Sequence, residues 1–128
     1  DKSKVLTAES IMMAPEPVVS IKSGPSVALQ LMREHGISSI FVVDRYKKLE
    51  GIVTVEDAAE ARRNKKSLED VIIREYPTTT KDTQLKDIIP MIADSSYPVA
   101  VVDDSNKLQG VLVRGGILGA IAMEEEEQ

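Results

Sequence analysis

At 128 residues, 42% of them hydrophobic and 3% aromatic, the chain can build one compact aliphatic core or two small half-cores packed together. It holds no Cys, which excludes a disulfide framework and thiolate chemistry, and no apolar run approaches the roughly 20 residues of a membrane-spanning helix. The formal net charge is −5, but Glu124, Glu125, Glu126 and Glu127 supply four of those charges, and the nearly neutral remainder excludes a globally basic nucleic-acid-binding surface.

Thr7 to Met13 reads as a short helix, with Thr7 as N-cap and Ser10 three positions on. Pro15 and Pro17 stop it, and Val18 to Ile21 reads as a short strand. Ser23-Gly24-Pro25 opens a second helix carrying Val27, Leu31 and Glu34 at helical spacing, with Ala28 and Met32 beside them and Gly36 as its terminating glycine. Ile37 to Val43 is a mostly buried strand, residues 44–48 a hairpin turn, and Leu49 to Thr54 the returning strand. Glu56 to Arg63 is helical, and the basic stretch Arg62 to Lys66 is a linker, or a face toward an anionic membrane surface. Ser67 to Asp70 opens a helix with a carboxylate capping box, and Pro77 to Thr80 takes the place of the first strand. Asp82-Thr83 is expected to cap a helix running to Ala93, with Leu85, Ile88, Ile89 and Ile92 inward and a weak turn at Pro90. Val99 to Val102, a turn at 104–106, and Leu108 to Val113 make a second hairpin, and Gly115 to Met123 forms a partly buried last helix.

One passage occurs twice. Val42-Val43-Asp44, Lys48-Leu49 and Gly51-Ile52 recur as Val101-Val102-Asp103, Lys107-Leu108 and Gly110-Val111, at a constant offset of 59 positions. Each copy reads strand, helix, strand, strand, helix, and the helix-to-strand link is one residue shorter in the second. The expectation is an α+β fold of two β-α-β-β-α repeats packed with pseudo-twofold symmetry: repeat 1 over 7–63, linker 64–66, repeat 2 over 67–123, acidic tail 124–128. Such a duplication makes two related clefts, which suits ligand binding.

The order resembles the CBS (cystathionine-β-synthase) domain in tandem, the Bateman module, over residues 7–123. The signatures are Ala28 to Ile37 running into Phe41-Val42-Val43-Asp44, then Leu49 to Asp57, and in the second copy Pro98 to Asp103 and Leu108 to Val113. Residues 93–99 together with Gly110 to Gly115 are similar to the C-terminal CBS pair of glycine betaine and related quaternary-amine ABC importer ATPases. The resemblance implies a regulatory region excised from a longer chain, which fits a start at Asp1. The implied partners are a second copy of the chain as a homodimer through the CBS repeats, the ATPase domain of the same chain and the transporter's membrane subunit. Neither nucleic acid nor direct membrane contact is expected, and the location implied is the cytoplasmic face of the plasma membrane. No cofactor is implied. Such pairs bind cyclic di-AMP, which shuts the importer; AMP or ATP is the alternative ligand, and a module for dimerisation or ionic-strength sensing without nucleotide is a further alternative.

An independent enzyme is not expected: the chain has one His, no Cys and no phosphate-loop motif. His35 reads as an exposed last-turn helix residue, and Asp103-Asp104 as a turn rather than a metal site. In the CBS family a Thr-x-x-Asp motif after the last strand holds ribose and phosphate, which here is Thr54 to Asp57. The same residues also serve as a helix cap and a dipole partner, and both roles stand. The second copy has Val113 and Gly116 in their place, with Arg114 and Gly115 between them. Helix-start N–H groups and a guanidinium suit phosphate. The competing reading pairs Arg114 with Asp94 and uses the glycines for tight helix packing. Tyr97 offers a flat partner to a base or covers the sheet edge. The resemblance places Val18, Ile37 and Ser39 along the cleft, and Val111 lies on the strand leading to Arg114. The acidic tail reads as solvated, or as a sensor of ionic strength.

Overall fold

The protein is described here by a computed structural model placing residues 5–126. In chain order the elements are α1 (Ala8–Ile11), β1 (Val18–Val19), α2 (Pro25–His35), β2 (Ser39–Val43), β3 (Leu49–Thr54) and α3 (Val55–Arg63). A 3₁₀ turn (Leu68–Asp70), β4 (Thr78–Thr79), α4 (Leu85–Ala93), β5 (Val99–Val102), β6 (Leu108–Leu112) and α5 (Arg114–Glu126) follow. There are two three-stranded sheets of the same topology, β1-β2-β3 and β4-β5-β6. In each, the first pair is parallel and the second antiparallel, with a register irregularity at equivalent sites, Val42/Val43 and Val101/Val102.

The two hairpins are built by the same device. Asp44 Oδ1 accepts the N–H groups of Tyr46 and Lys48, and Asp103 Oδ1 those of Ser105 and Lys107, at 2.8–2.9 Å. The residue before the returning lysine is left-handed in both, Lys47 at φ 66° and Asn106 at φ 64°. The N–H of Lys107, followed by that of Ser105, holds the Asp103 carboxyl below the usual carboxylate range.

Two compact units form: one is Glu16–Tyr76, and the other joins the segment ending at Pro15 to the segment beginning at Pro77. Sequence repeat and compact unit therefore differ, because each repeat's leading segment packs within the unit that holds the other repeat's sheet. In the first unit Ile52 and Ile73 exchange two backbone hydrogen bonds of 2.9 Å. In the second, Met13 and Val111 do the same at 2.9 and 3.0 Å. This close passage explains the glycine shared by the repeats. A Cβ on Gly51 would press on Ile72 and come 2.7 Å from Ile73 O; on Gly110 it would press on Met12 and come 2.9 Å from Met13 O.

Each unit has its own aliphatic cluster. Val19, Ala28, Met32, Ile40, Val42, Val53, Ala58 and Leu68 form one. Ala8, Leu85, Ile88, Ile92, Val99, Val101, Leu112, Ile117 and Ala120 form the other. Phe41 meets Tyr76 edge-on at 6.0 Å, and burial pushes the Tyr76 hydroxyl pKa up.

Several expectations are corrected. Of the two apolar rows read along α2, the one buried is Ala28 and Met32, while Val27 is 46% exposed. The first strand is Val18–Val19 alone. Ser67 to Asp70 makes the capping box, Ser67 N–H to Asp70 Oδ2 at 3.0 Å, but closes only a 3₁₀ turn. Gln84, not Asp82 or Thr83, precedes α4; Asp82 instead takes the Thr80 hydroxyl at 2.7 Å and Thr83 that of Thr79, in the turn before the helix. Glu124 to Glu126 continue α5, with Glu125 and Glu126 exposed to solvent, in keeping with the helix propensity of Glu; Glu127 and Gln128 lie outside the described residues. No helix among the described residues is long and apolar enough to cross a membrane.

Candidate functional site

The residues singled out from sequence fall into two groups, one in each unit. In the first unit Ser39 opens β2 directly across from Thr54 at the end of β3. Thr54 Oγ1 accepts the Asp57 N–H at 3.1 Å, so the capping role of Thr54 is realised. Asp57 stands in the first turn of α3, half-buried, where the helix dipole favours its charge. Its carboxylate accepts no hydrogen bond among the described residues, which leaves it available to hydroxyl groups. Val18 pairs with Phe41 on β2. Ile37 follows Gly36, gives its N–H to Met32 O at 3.0 Å and remains 37% exposed.

The second group is joined by hydrogen bonds. Arg114 opens α5, and its Nη2 donates to Ile92 O at 3.1 Å and to Ser95 O at 3.4 Å. Ser95 Oγ accepts the Tyr97 N–H at 3.0 Å and donates to Tyr97 O at 2.9 Å. Arg114 and Tyr97 are thus tied through one residue, with Val111 on β6 paired to Ala100 of the adjacent strand. The pairing of Arg114 with Asp94 is corrected. Carbonyls at the α4 terminus hold the guanidinium, since that helix end is the nearer negative pole, and no carboxylate neutralises it among the described residues. The tight-packing role of the glycines is corrected too. A Cβ on Gly115 would meet nothing within 4 Å, and one on Gly116 would meet Val113 at 3.8 Å and Ile11 O at 3.9 Å, ordinary contact distances, so neither glycine is required by tight packing and Gly115 stands exposed at the start of α5.

His35 ends α2, exposed, with Nδ1 3.0 Å from Leu31 O. Asp103 is spent on its turn, and no group of three or more His, Cys, Asp or Glu stands ready for a metal among the described residues. A shallow pocket of about 230 Å³ lies beside Thr80, Lys81, Asp82, Val102, Asp103 and Asp104, at the far end of β5 from Tyr97.

Ser95 went unsingled in the sequence. The signal for it was the register between copies. Strand residues of the repeats are 59 positions apart, but the buried helix residues Ala28 and Met32 match Ile88 and Ile92 at 60. The one-residue-shorter link therefore falls between α4 and β5, and residues 94–98 contain no glycine. In the first unit the left-handed Gly36 (φ 65°) lets Ile37 N–H cap Met32 O. In the second, Ile92 O, the counterpart of Met32 O, accepts Arg114 Nη2 at 3.1 Å in addition to the Ser95 N–H at 3.4 Å.

A family model described as the CBS domain matches residues 8–64 and again 68–123. The chain belongs to the CBS domain family. It is a tandem CBS pair, similar over 98% of its length, at 44% identity, to the glycine betaine transport ATP-binding protein OpuAA of Bacillus subtilis. The glycine betaine/carnitine transport ATP-binding protein GbuA of Listeria monocytogenes is also 44% identical over 98% of the chain. The chain spans 30% and 32% of the length of these two relatives. Among solved structures, Staphylococcus aureus OpuCA matches with TM-score 0.82 and 29% identity, over 90% of this chain and 98% of that one. The CBS pair CBSX2 of Arabidopsis thaliana matches with TM-score 0.84 at 22% identity, over 96% and 99% of the two chains, a likeness of fold alone.

Proposed function

We propose that this CBS pair is the regulatory region of an osmolyte ABC importer's ATP-binding subunit, of the glycine betaine, carnitine or choline type, and that it binds cyclic di-AMP to inhibit transport. The observation that carries the ligand is Arg114: a guanidinium held by two carbonyls, free of any carboxylate among the described residues, at the start of α5, linked to Tyr97 through Ser95. Fixed positive charge, a helix start and a flat ring suit a purine and a phosphate together. Cyclic di-AMP carries two of each in twofold symmetry. On the axis of a homodimer formed through the CBS repeats it would meet Arg114 and Tyr97 from both protomers, one ligand for two chains. The ligand then favours one dimer arrangement and biases the attached ATPase domains by its differential affinity for the two states. Such a subunit works at the cytoplasmic face of the membrane, against the transporter's membrane subunit. The similarity to the two transport ATP-binding proteins supports the importer assignment.

A second reading places AMP or ATP at Asp57, favoured by its half-buried carboxylate without a hydrogen-bonded partner. Isothermal titration of the chain with cyclic di-AMP, AMP and ATP separates the two. The expected result is binding of cyclic di-AMP alone at one per two chains, weakened about 10- to 100-fold in Arg114→Ala and unchanged in Asp57→Ala. Binding of AMP or ATP that is lost in Asp57→Ala replaces the first reading with the second.

A further inference from the structure

We infer that Ser95 is a positioning residue that holds Tyr97 and Arg114 as one preorganised ligand clamp; this rests on the reading of those two residues as ligand contacts. Ser95 is half-buried, and every hydrogen-bonding group on it is committed. Its hydroxyl closes a ring on Tyr97, accepting the N–H at 3.0 Å and donating to the carbonyl at 2.9 Å. Its own carbonyl accepts from Arg114 Nη2 at 3.4 Å, and its N–H points back to Ile92 O at 3.4 Å. Ile92 O is also the second acceptor of Arg114, at 3.1 Å. The backbone of residues 95–97 is therefore set by one hydroxyl. That backbone carries the tyrosine ring at one end and an arginine acceptor at the other.

The other repeat shows that this arrangement is not needed to end a helix. There Gly36 ends α2 through main-chain hydrogen bonds, Gly36 N–H to Arg33 O at 3.3 Å and Ile37 N–H to Met32 O at 3.0 Å. No side chain from the following strand-helix junction takes part, and position 55 at that junction is Val. The second repeat has one residue fewer in the link and uses an arginine and a serine for the same carbonyl. The consequence is a guanidinium held by two carbonyls, with no carboxylate paired to it among the described residues. Binding then meets a side chain whose rotamer freedom is already lost, which raises affinity by lowering the ordering cost of association.

The test compares wild type, Ser95→Ala and Ser95→Thr in the full 128-residue chain, with cyclic di-AMP as the probe. Ser95→Ala should weaken binding about tenfold, and Ser95→Thr, which keeps a hydroxyl, should restore it. A purely structural serine would lower the thermal midpoint and leave the dissociation constant alone. In the absence of ligand, hydrogen exchange at the Tyr97 amide and at the Arg114 guanidinium should accelerate in Ser95→Ala and recover in Ser95→Thr. Equal affinity in wild type and Ser95→Ala, or weakening that Thr does not rescue, overturns the positioning role while leaving the ligand reading intact. If wild type binds no cyclic di-AMP, the ligand reading falls. Positioning of the pair is then judged by the exchange rates, and unchanged rates in Ser95→Ala remove it as well.

Discussion

The two repeats share a backbone and part company at one helix end. Their hairpins are nearly interchangeable: an aspartate folds back on two N–H groups, a left-handed residue follows, and a glycine admits the leading segment of the other repeat. At the link between helix and second strand, the first repeat spends a glycine and caps α2 with its own main chain. The second repeat is one residue shorter there and adds Arg114 to the main-chain hydrogen bonds that end α4. Strand pairing tolerates no such loss, since a one-residue slip turns every side chain to the other face, so the change collects in the link. A duplicated fold can thus keep its scaffold while a link one residue shorter goes with a new side-chain contact at a helix end.

The comparison can be tested first in the cores. Met32 and Ile92 occupy equivalent buried places, 1% and 6% exposed. Met32→Ala and Ile92→Ala should each destabilise by about 2–5 kcal/mol in urea unfolding. A loss below about 1 kcal/mol at either would show that the two units do not share a comparable core. Next come the glycines. Gly51→Ala and Gly110→Ala should each cost about 1–3 kcal/mol, the former more, because it faces a main-chain oxygen at 2.7 Å where Gly110 faces the flexible end of Met12 and an oxygen at 2.9 Å. The reverse order would mean that the leading segment around Ile72 yields more readily than Met12.

A smaller effect addresses the helix ends themselves. Gly36→Ala puts a Cβ into a left-handed conformation, and Arg114→Ala removes the guanidinium from Ile92 O. Each should cost about 1 kcal/mol without ligand, because each disrupts the same kind of cap. A neutral Arg114→Ala would show that its carbonyl contacts serve binding alone. The smallest effect lies in the acid range. Hydrogen bonds from Ser67 lower the pKa of Asp70, and those from Lys107 and Ser105 lower that of Asp103. A lowered folded pKa contributes stability above the unfolded value of about 3.9, and that stability disappears as pH falls through the folded value. Asp103→Asn should therefore flatten the decline of stability below about pH 4. A decline as steep as in wild type would assign the acid sensitivity elsewhere.

Much of this architecture was legible in the chain. The repeat of Val-Val-Asp, Lys-Leu and Gly placed both hairpins, and the Pro25 and Gly36 boundaries of α2 were read from residue chemistry alone. The candidate residues on one strand or one helix start, such as Thr54 with Asp57, could also be paired from spacing. What spacing missed was long-range. Arg114 is 22 residues from Ile92, and nothing local distinguishes a guanidinium bound to carbonyls from one bound to Asp94. Spacing leaves the phase of α2 open as well, since Val27 and Ala28 are both apolar and only packing chooses between them.

The sequence by itself determined the elements, their order and their duplication, because turn chemistry and apolar periodicity act over a few residues. Only the tertiary structure decided that each repeat's leading segment belongs with the other repeat's sheet, why Gly51 and Gly110 must be glycine, and what holds Arg114. Those outcomes depend on atoms brought within about 3 Å of each other across tens of residues, where hydrogen bonding and steric exclusion act through space and leave no periodic trace along the chain.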